Sequence, residues 1–592
     1  MECCLSAIAH ARPRKGSATG FLQQPSIISS TVQWENVSPC SATCAPLKLI
    51  MIKKPMLNNA LHRTFVLSGL ALASLGLNRV YAEDVAATNG DNSAIAAEVL
   101  EVPGVQDLGR RAGSAPIDVV VTLRFNHTEE LDQLLNEQID PSSSNYRKFL
   151  TAAQFDERFG PTAEQLDRVT SELQQAGFKI TQVSSDRVLV YATASSAIVE
   201  NYFKTEIHSV KQEVGGDRYM NVKPAFLPST LVPLVLAVHV DNLIVAKVGA
   251  HPDSISGPIT GPANGGNPGG YTPVALANSF NFPVQSGSDG TGHTAAIIID
   301  SDVEASDLST FFSYFPITRT GTITREIVSG TGAINGDVDE TALDTETIGG
   351  LAPGADVILY LIGELSNADI NGAANKIVSD NKAEAVNMSF GGNEFKDKTF
   401  EASLKKGNAL GITFVASSGD KGSNGGTVSW PAVEPRVLAL GGTDISQSGG
   451  QYVHDQAWTG SGGGVSKLFA IPPYQKGVKG LASKTKRNVP DVAFPAYYTD
   501  TYVQGAWVNL EGTSWSSPTY VALQLELNQV KGERLGWVNS AIYSVFQTEG
   551  YATDFYDVTN GSNGEYNAKT GYDNVSGIGS PIGEALATDP KF

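Results

Sequence analysis

Apolar residues in the N-terminal half of the chain follow two alternating spacings. Runs rich in β-branched residues cover 117–123 and 188–192, whereas helix-type spacing covers 131–139 and 161–177. The runs indicate strands, and the helix-type spacing indicates amphipathic helices. Strands and helices that alternate within ~130 residues predict a small α+β unit. We assign residues 116–247 to it.

The apolar pattern changes after residue 270. Continuous apolar runs cover 294–299, 357–362 and 412–416. Runs that are apolar at every position are typical of strands buried on both faces, as in a parallel sheet covered by helices. We therefore predict that the fold class is α/β, with one domain over residues 271–592 built on a central parallel sheet.

The segment that precedes the α+β unit has the pattern of a secretory signal. A basic stretch covers 53–63, an apolar run covers 65–77, and Val80-Tyr81-Ala82 places small residues at −3 and −1. The run is short for a membrane span, so we expect cleavage after Ala82 and no membrane attachment afterwards. The protein is predicted to be secreted, or periplasmic in a Gram-negative cell. A buried core helix is the alternative interpretation.

The remaining boundaries follow from composition. Residues 1–82 form an N-terminal extension and signal, and Met51 or Met56 is an alternative start of translation. Residues 83–115 are polar and are predicted to be flexible. Residues 248–270 are rich in Gly, Pro, Ser and Asn, which predicts a linker that contains the processing site.

Charge and cysteine content exclude several classes of function. The net charge is −19, but residues 1–82 carry eight Lys/Arg and two Asp/Glu, which leaves −25 on the remainder. An acidic body does not suit nucleic acid, whose binding depends on cationic contacts to phosphate. The body also lacks a thiol nucleophile and disulfides, because the only cysteines are Cys3, Cys4, Cys40 and Cys44.

A long string in the predicted α+β unit matches a known pattern. Residues 136–169 read NEQIDPSSSNYRKFLTAAQFDERFGPTAEQLDRV, with Asp-Pro, Tyr, Leu-Thr, Phe and Phe-Gly-Pro in order. This string resembles the activation prodomain of the sedolisin and kumamolisin family of serine-carboxyl peptidases. The resemblance implies a removable prodomain of ferredoxin-like fold that acts as chaperone and inhibitor. It also implies a subtilisin-like catalytic domain.

One serine is surrounded by small residues ahead of a predicted helix. Residues 512–518 read GTSWSSP, and a helix N-terminus favours negative charge that develops on a hydroxyl placed there. From spacing alone, a Ser/Thr-capped helix start is an equal alternative. The string also resembles the nucleophile motif that subtilisins and sedolisins share, which implies that Ser514 is the nucleophile.

The base for this serine is predicted to be a carboxylate. From residue 251 onward the histidines are His251, His293 and His454, and none stands in a His-Gly-Thr-like setting. Glu340 and Asp344 lie four residues apart, so they share one face of a helix, where like charges repel. Acidic residues are also common at helix starts, which is the structural alternative. The resemblance to sedolisins implies that Glu340 is the base and Asp344 the second carboxylate.

Another carboxylate follows a predicted buried strand. Residues 416–420 read ASSGD, and the carboxyl end of a parallel strand is a common place for a functional site. An aspartate in an Asx-turn is the alternative. The resemblance implies that Asp420 donates a hydrogen bond to the oxyanion in its protonated form.

Two glycine-containing strings are candidate walls of a substrate cleft. Residues 387–392 read NMSFGG and residues 461–466 read SGGGVS. Extended segments of this kind can pair with a peptide backbone as an added strand, although plain loops would have the same composition. Ser389, Gly391 and Gly463 are therefore the candidate substrate-binding residues.

Two aspartates bracket a Gly/Asn-rich loop near the C-terminus. Carboxylate and carbonyl oxygens suit Ca²⁺, and sedolisins bind one structural calcium ion at this place. The resemblance implies side-chain ligands from Asp557 and Asp573 and carbonyl ligands from Val558, Lys569 and Gly571. Glycine is usual in the family at the position of Lys569. A metal-free turn is the alternative.

Together these motifs predict an acid-acting endopeptidase that is made as a self-processing zymogen and cleaves proteins or extended peptides through an acyl-enzyme. A neutral subtilisin-like protease would need a histidine base. An inactive homologue used as a binding module would be expected to have lost at least one of the four catalytic candidates. We expect a monomer whose partners are its substrates and its own prodomain. Glu511 departs from the family, which usually has a small residue there.

Overall fold

The computed structural model describes residues 95–249, 251–252, 270–448 and 451–592, with only the backbone described at 251 and 252. These residues lie within one compact unit, Thr88–Phe592. The predicted secretory signal, the cysteines and most of the predicted linker lie outside the described residues. Within the described part of the chain, no helix combines the length and apolar character needed to cross a membrane.

The N-terminal unit, residues 95–246, is an α+β structure. Its strands are β1 (Ile95–Ala97), β2 (Gln106–Arg110), β3 (Pro116–Leu123), β4 (Lys179–Val183), β5 (Leu189–Ser195), β6 (Ile207–Lys211), β7 (Arg218–Asn221), β8 (Ala225–Phe226) and β9 (Val235–His239). Its helices are α1 (Thr128–Gln138), α2 (Ala152–Arg158), α3 (Ala163–Gln175) and α4 (Ser196–Phe203). The main sheet is antiparallel, in the order β4-β5-β3-β9. With α3 and α4 it forms the βαββαβ arrangement of ferredoxin-like folds, which confirms the predicted α+β class.

Local sequence signals set the starts of two helices in this unit. Thr151 caps α2 through a capping box with Gln154, and Thr162 caps α3 in the same way with Gln165. Each box satisfies backbone N–H groups that would otherwise lack a partner.

The segment 83–115, predicted to be flexible, is a structured part of this unit where it is described. β1 pairs with β8, and β2 pairs with β6. The partners of both strands lie more than 95 residues further along the chain. The composition of a segment carries no information about such distant pairing, so the prediction of flexibility is corrected for residues 95–115.

The C-terminal domain, residues 271–592, begins after the linker strands β10 (Lys247–Val248) and β11 (His251–Pro252). Its strands are β12 (Thr294–Ile299), β13 (Ile323–Ile327), β14 (Asp356–Leu361), β15 (Ala385–Met388), β16 (Phe390–Asn393), β17 (Thr413–Ser417), β18 (Ser429–Trp430), β19 (Val437–Ser448), β20 (Gln451–Ala457), β21 (Gly464–Ala470), β22 (Lys486–Val489), β23 (Val492–Pro495), β24 (Thr499–Val503), β25 (Ala506–Glu511), β26 (Phe555–Tyr556) and β27 (Ser580–Pro581). Its helices are α5 (Pro273–Ser279), α6 (Ala305–Tyr314), α7 (Val338–Leu351), α8 (Asn367–Asp380), α9 (Lys398–Ala409), α10 (Thr513–Lys531), α11 (Asn539–Phe546), α12 (Tyr551–Asp554) and α13 (Gly583–Thr588).

A central sheet organises this domain. Its order is β13-β14-β12-β15-β17-β19-β20, and β23 also pairs with β19. All pairs are parallel except β19 with β20. Successive residues of β12 point to opposite faces: Ile297 and Ile299 pack in the core with α7 and α10, whereas Ala296 and Ile298 pack with α8 and α9. Helices therefore cover both faces, which confirms the predicted α/β class.

The N-terminal unit docks on the face formed by α8 and α9. Phe155 shares a hydrophobic core with that face. Lys406 Nζ lies 2.8 Å from both Asp186 Oδ2 and Asp156 Oδ1, and the Lys406 and Asp186 side chains are buried. Removing one partner of such a buried pair costs about 3–5 kcal/mol, because the other charge is left uncompensated. The two parts are therefore joined by a specific, well-packed interface.

Candidate active site

Ser514 lies in the first turn of α10. The helix follows Gly512, whose backbone φ of 148° is rarely adopted by residues that carry a side chain. Ser514 is 0% exposed, and its Oγ lies 3.5 Å from the carbonyl oxygen of Ser389. The Ser514 hydroxyl therefore lies at a helix N-terminus, as the sequence predicts.

The two acidic candidates lie on α7, which packs against α10. Glu340 and Asp344 are both buried and are separated by one helical turn. Asp344 Oδ1 accepts a hydrogen bond from Ser389 Oγ at 2.7 Å. Burial raises the pKa of Asp344 well above its usual range, although hydrogen bonds from Ser389 and Asn387 oppose the shift.

Asp420 follows β17 and is held by the residue that precedes the candidate nucleophile. Its Oδ1 accepts from the Thr513 backbone N–H at 2.7 Å and from the Thr513 hydroxyl at 2.7 Å. The same hydroxyl accepts from the Gly419 N–H at 3.0 Å. Thr513 thus fixes the Asp420 carboxyl beside Ser514, a role that the sequence analysis did not assign.

A single linker residue lies among these groups. The Gly249 N–H donates to Glu340 Oε2 at 3.1 Å. A Cβ built on Gly249 would lie 2.6 Å from Ser514 Oγ and 2.7 Å from Asp420 Oδ2. Only glycine allows the backbone to approach so closely. Ser514, Glu340 and Asp420 therefore converge on one point of the linker.

The linker is paired as a strand on both sides of this point. β10 pairs antiparallel with β16, where Val248 faces Phe390 and Lys247 faces Gly391. Beyond Gly249, β11 pairs antiparallel with β25, the strand that leads to the candidate nucleophile. Strand pairing of this kind is how a cleft holds a peptide backbone.

The candidate substrate-binding residues have different surroundings. Gly391 pairs with the linker and lines a cavity of about 530 Å³ between the N-terminal unit and the C-terminal domain. The Ser389 side chain bonds to Asp344. Gly463 is packed so tightly that a Cβ would lie 2.0 Å from the Asn574 carbonyl oxygen, and its neighbour Gly462 lines the cavity instead.

Among the histidines of the C-terminal domain that the structure describes, His293 has a hydrogen-bond partner away from Ser514. His293 directly precedes β12. Its Nδ1 lies 2.6 Å from Glu384 Oε2. The Glu384 carboxyl also accepts from Asn528 Nδ2 at 2.8 Å, near the end of α10 that is far from Ser514.

The C-terminal aspartates hold a compact loop. Asp557 accepts from the Gly571 N–H at 3.0 Å. Asp573 Oδ1 accepts from the Val575 and Ser576 N–H groups at 2.9 and 2.8 Å, and its Oδ2 accepts from the Lys569 N–H at 3.0 Å. Burial raises the pKa of both aspartates. Across the described residues, no group of three or more His, Cys, Asp or Glu side chains is placed to hold a metal ion.

Each of the two parts of the chain matches a known protein family. Residues 103–243 match the pro-kumamolisin activation domain, and residues 326–534 match the subtilase family. Sedolisin of Pseudomonas sp. (strain 101) is 30% identical over 516 residues, which cover 78% of this chain and 85% of that protein. The chain belongs to the sedolisin family. This confirms the predicted membership, and the N-terminal unit is the prodomain of a serine-carboxyl peptidase zymogen.

Other family members extend the similarity. Xanthomonalisin of Xanthomonas sp. (strain T-22) is 29% identical, over 78% of this chain and 64% of that protein, so the chain spans less than two thirds of its length. Kumamolisin of Bacillus sp. (strain MN-32) is 28% identical, over 82% of this chain and 94% of that protein. The solved structure of Pseudomonas sedolisin complexed with pseudo-iodotyrostatin has a TM-score of 0.50 and 28% identity, over 54% of this chain and 97% of that chain.

Proposed function

We propose that this protein is an acid-acting serine-type endopeptidase that is secreted as a self-processing precursor. The observation that carries the proposal is the path of the linker, whose backbone lies against Ser514, Glu340 and Asp420 at Gly249. A chain held in this way is in the position of a peptide substrate. Proteins and extended peptides are the proposed substrates of the mature enzyme, with the mature domain acting as a monomer.

The residues would act in a defined order. Glu340 removes the Ser514 hydroxyl proton as Oγ attacks the substrate carbonyl carbon, and the protonated Glu340 then gives that proton to the leaving amine. Protonated Asp420 and the Ser514 N–H would donate to the tetrahedral oxyanion. Water then attacks the acyl-enzyme as Glu340 removes its proton. The proton passes to Ser514 Oγ as the acid product leaves. Asp344 would orient Glu340 throughout.

A digest of casein in acid tests this function. Ser514→Ala and Glu340→Gln are each expected to lose activity by more than about a thousandfold, because nucleophile and base act as a unit. Ser516→Ala is the matched control: Ser516 lies on the same helix, is also buried, and bonds to the Phe494 carbonyl oxygen at 2.7 Å. Full activity of either variant would remove that residue from the mechanism.

Self-processing gives a second test of the same site. Purified wild-type precursor in acid is expected to be cut in the linker at 248–270, whereas Ser514→Ala should remain at full length. Mass spectrometry of both products over time is the measurement. Normal conversion of the purified Ser514→Ala precursor, without added protease, would contradict self-activation.

We propose a calcium site at the C-terminal loop. Among the described residues, no Lys, Arg or His side chain pairs with Asp557 or Asp573, and an oxygen-rich loop with two uncompensated carboxylates suits this hard cation. The carbonyl oxygens of Val558, Lys569 and Gly571 would complete its ligands. Bound calcium would neutralise the two carboxylates and tie the loop together.

Calcium removal is expected to lower the melting temperature of the Ser514→Ala precursor, because an ion that binds only the folded state stabilises it. Asp573→Ala should have the same effect and should abolish further sensitivity to EGTA. Glu565→Ala is the matched control, since Glu565 is exposed in the same loop. An unchanged melting temperature in EGTA, together with no calcium by elemental analysis, would eliminate the site.

A further inference from the structure

A chain of hydrogen bonds connects the helix of the proposed nucleophile to the helix of the proposed base. Ser517 Oγ donates to Asn387 Oδ1 at 2.6 Å, and Asn387 Nδ2 donates to Ser389 Oγ at 2.9 Å. Ser389 Oγ in turn donates to Asp344 Oδ1 at 2.7 Å. All four side chains are 0% exposed, so bulk water does not compete for these bonds.

The hydrogen bonds of this chain run in one direction, from Ser517 towards Asp344. The Asn387 amide accepts through its oxygen and donates through its nitrogen, so Ser389 Oγ receives one hydrogen bond and has a single proton to give. Two acceptors lie near that proton, Asp344 Oδ1 at 2.7 Å and the Ser514 carbonyl oxygen at 3.3 Å. The shorter contact to a carboxyl oxygen is the stronger one.

Asp344 Oδ1 is therefore the acceptor of this bond. A proton on the Asp344 carboxyl is then favoured on Oδ2, for which no donor among the described residues is in hydrogen-bonding position. Glu340 lies one helical turn earlier on the same helix. A carboxyl whose proton is held on one oxygen can donate steadily to a neighbouring carboxylate, whereas a carboxyl free to exchange its proton between both oxygens cannot.

We propose that Ser389, Asn387 and Ser517 are positioning residues that keep the Asp344 proton on Oδ2, where it serves Glu340. The proposal rests on the proposed roles of Glu340 and Asp344. In this proposal the Ser389 side chain serves the carboxyl pair Glu340 and Asp344. The backbone of residues 387–392 remains available for contact with the substrate. Ser517 lies three residues after Ser514, so the chain also holds the nucleophile helix in a fixed relation to α7.

The expected consequence is a change in the pH dependence of catalysis. A hydrogen bond from Asp344 favours the ionised form of Glu340 and so lowers the pKa of this base. Without the chain, that hydrogen bond is populated only part of the time. Glu340 then becomes ionised only at higher pH, and the acid limb of the rate profile moves upward.

Ser517→Ala breaks the chain at the link most distant from Asp344, and Asn387→Leu breaks it at the next link. In mature enzyme we expect each variant to lower kcat about tenfold, to leave KM nearly unchanged, and to move the acid limb of the kcat profile up by about half a pH unit. Ser516→Ala removes a buried hydroxyl on the same helix that bonds outside the chain, and its acid limb should stay in place.

A folded Ser517→Ala enzyme whose acid limb coincides with that of wild type would overturn the proposal, even if kcat falls. If Asn387→Leu does not fold, as judged by its melting curve, the comparison of Ser517→Ala with Ser516→Ala decides the matter. Failure of the proposed function would give a different result, because the single variant Glu340→Gln would then remain active.

Discussion

Raising the pH from about 4 to about 7.5 is expected to lower the melting temperature of the Ser514→Ala precursor by about 10 °C or more. The cause is a set of largely or wholly buried carboxyls for which the described residues supply no cationic partner. Burial raises the pKa of Asp455 to about 7 and that of Asp500 to about 6. Burial and the neighbouring Asp337 raise the pKa of Asp300 to about 7.

The sign follows from linkage. A carboxyl whose pKa is higher in the folded state contributes stability that is fully present below its unfolded pKa, near 4. That stability is lost as the pH rises through the folded values, between about 6 and about 7 here. Each unit of difference corresponds to about 1.4 kcal/mol. Repulsion within the acidic body adds to the loss at neutral pH.

Asp455→Asn isolates one of these carboxyls. Its Oδ2 accepts from Ser580 Oγ at 2.8 Å, a bond that an amide oxygen can also accept. The variant should lose less stability than its parent between acid and neutral pH. Asp167→Asn, an exposed carboxyl on α3, is the control and should leave the difference unchanged. Scanning calorimetry that finds equal or higher stability at neutral pH would contradict this explanation.

Catalysis is expected to fall at least a hundredfold between about pH 4 and about pH 8, while the enzyme remains folded. Glu340 must be ionised to accept the Ser514 proton, and a carboxylate base can be ionised in acid where a histidine base is protonated. Asp420 must be protonated to donate to the oxyanion. An ionised Asp420 has no proton to give and repels the developing negative charge.

The sequence was most informative where function depends on short strings. The buried strand 294–299 was predicted with its observed limits, because a short and nearly continuous apolar run is typical of a strand covered on both faces. Ser514, Glu340 and Asp420 were singled out from three separate motifs. The fold brings all three to the backbone of Gly249.

Other parts of the site depend on contacts between distant segments. Nothing in the local sequence around Thr513 indicates that its hydroxyl bonds to Asp420, 93 residues away. Ser389 was assigned to substrate because its string looks extended, but its side chain turns inward to Asp344, 45 residues away. The strands β1 and β2 were missed for the same reason, since both depend on partners far along the chain.

The pH dependence of kcat/KM on a peptide substrate, for mature wild type and Asp420→Asn, decides whether Glu340 and Asp420 act as base and oxyanion donor. An amide donates a hydrogen bond at any pH, so Asp420→Asn should keep part of the activity and lose less of it between about pH 5 and about pH 7 than wild type does. Stability is checked at each pH by the melting curve, which separates loss of catalysis from unfolding. We expect a wild-type optimum below about pH 5.5. A folded wild-type enzyme that works best near pH 8, where both carboxyls are ionised, would contradict the roles of Glu340 and Asp420.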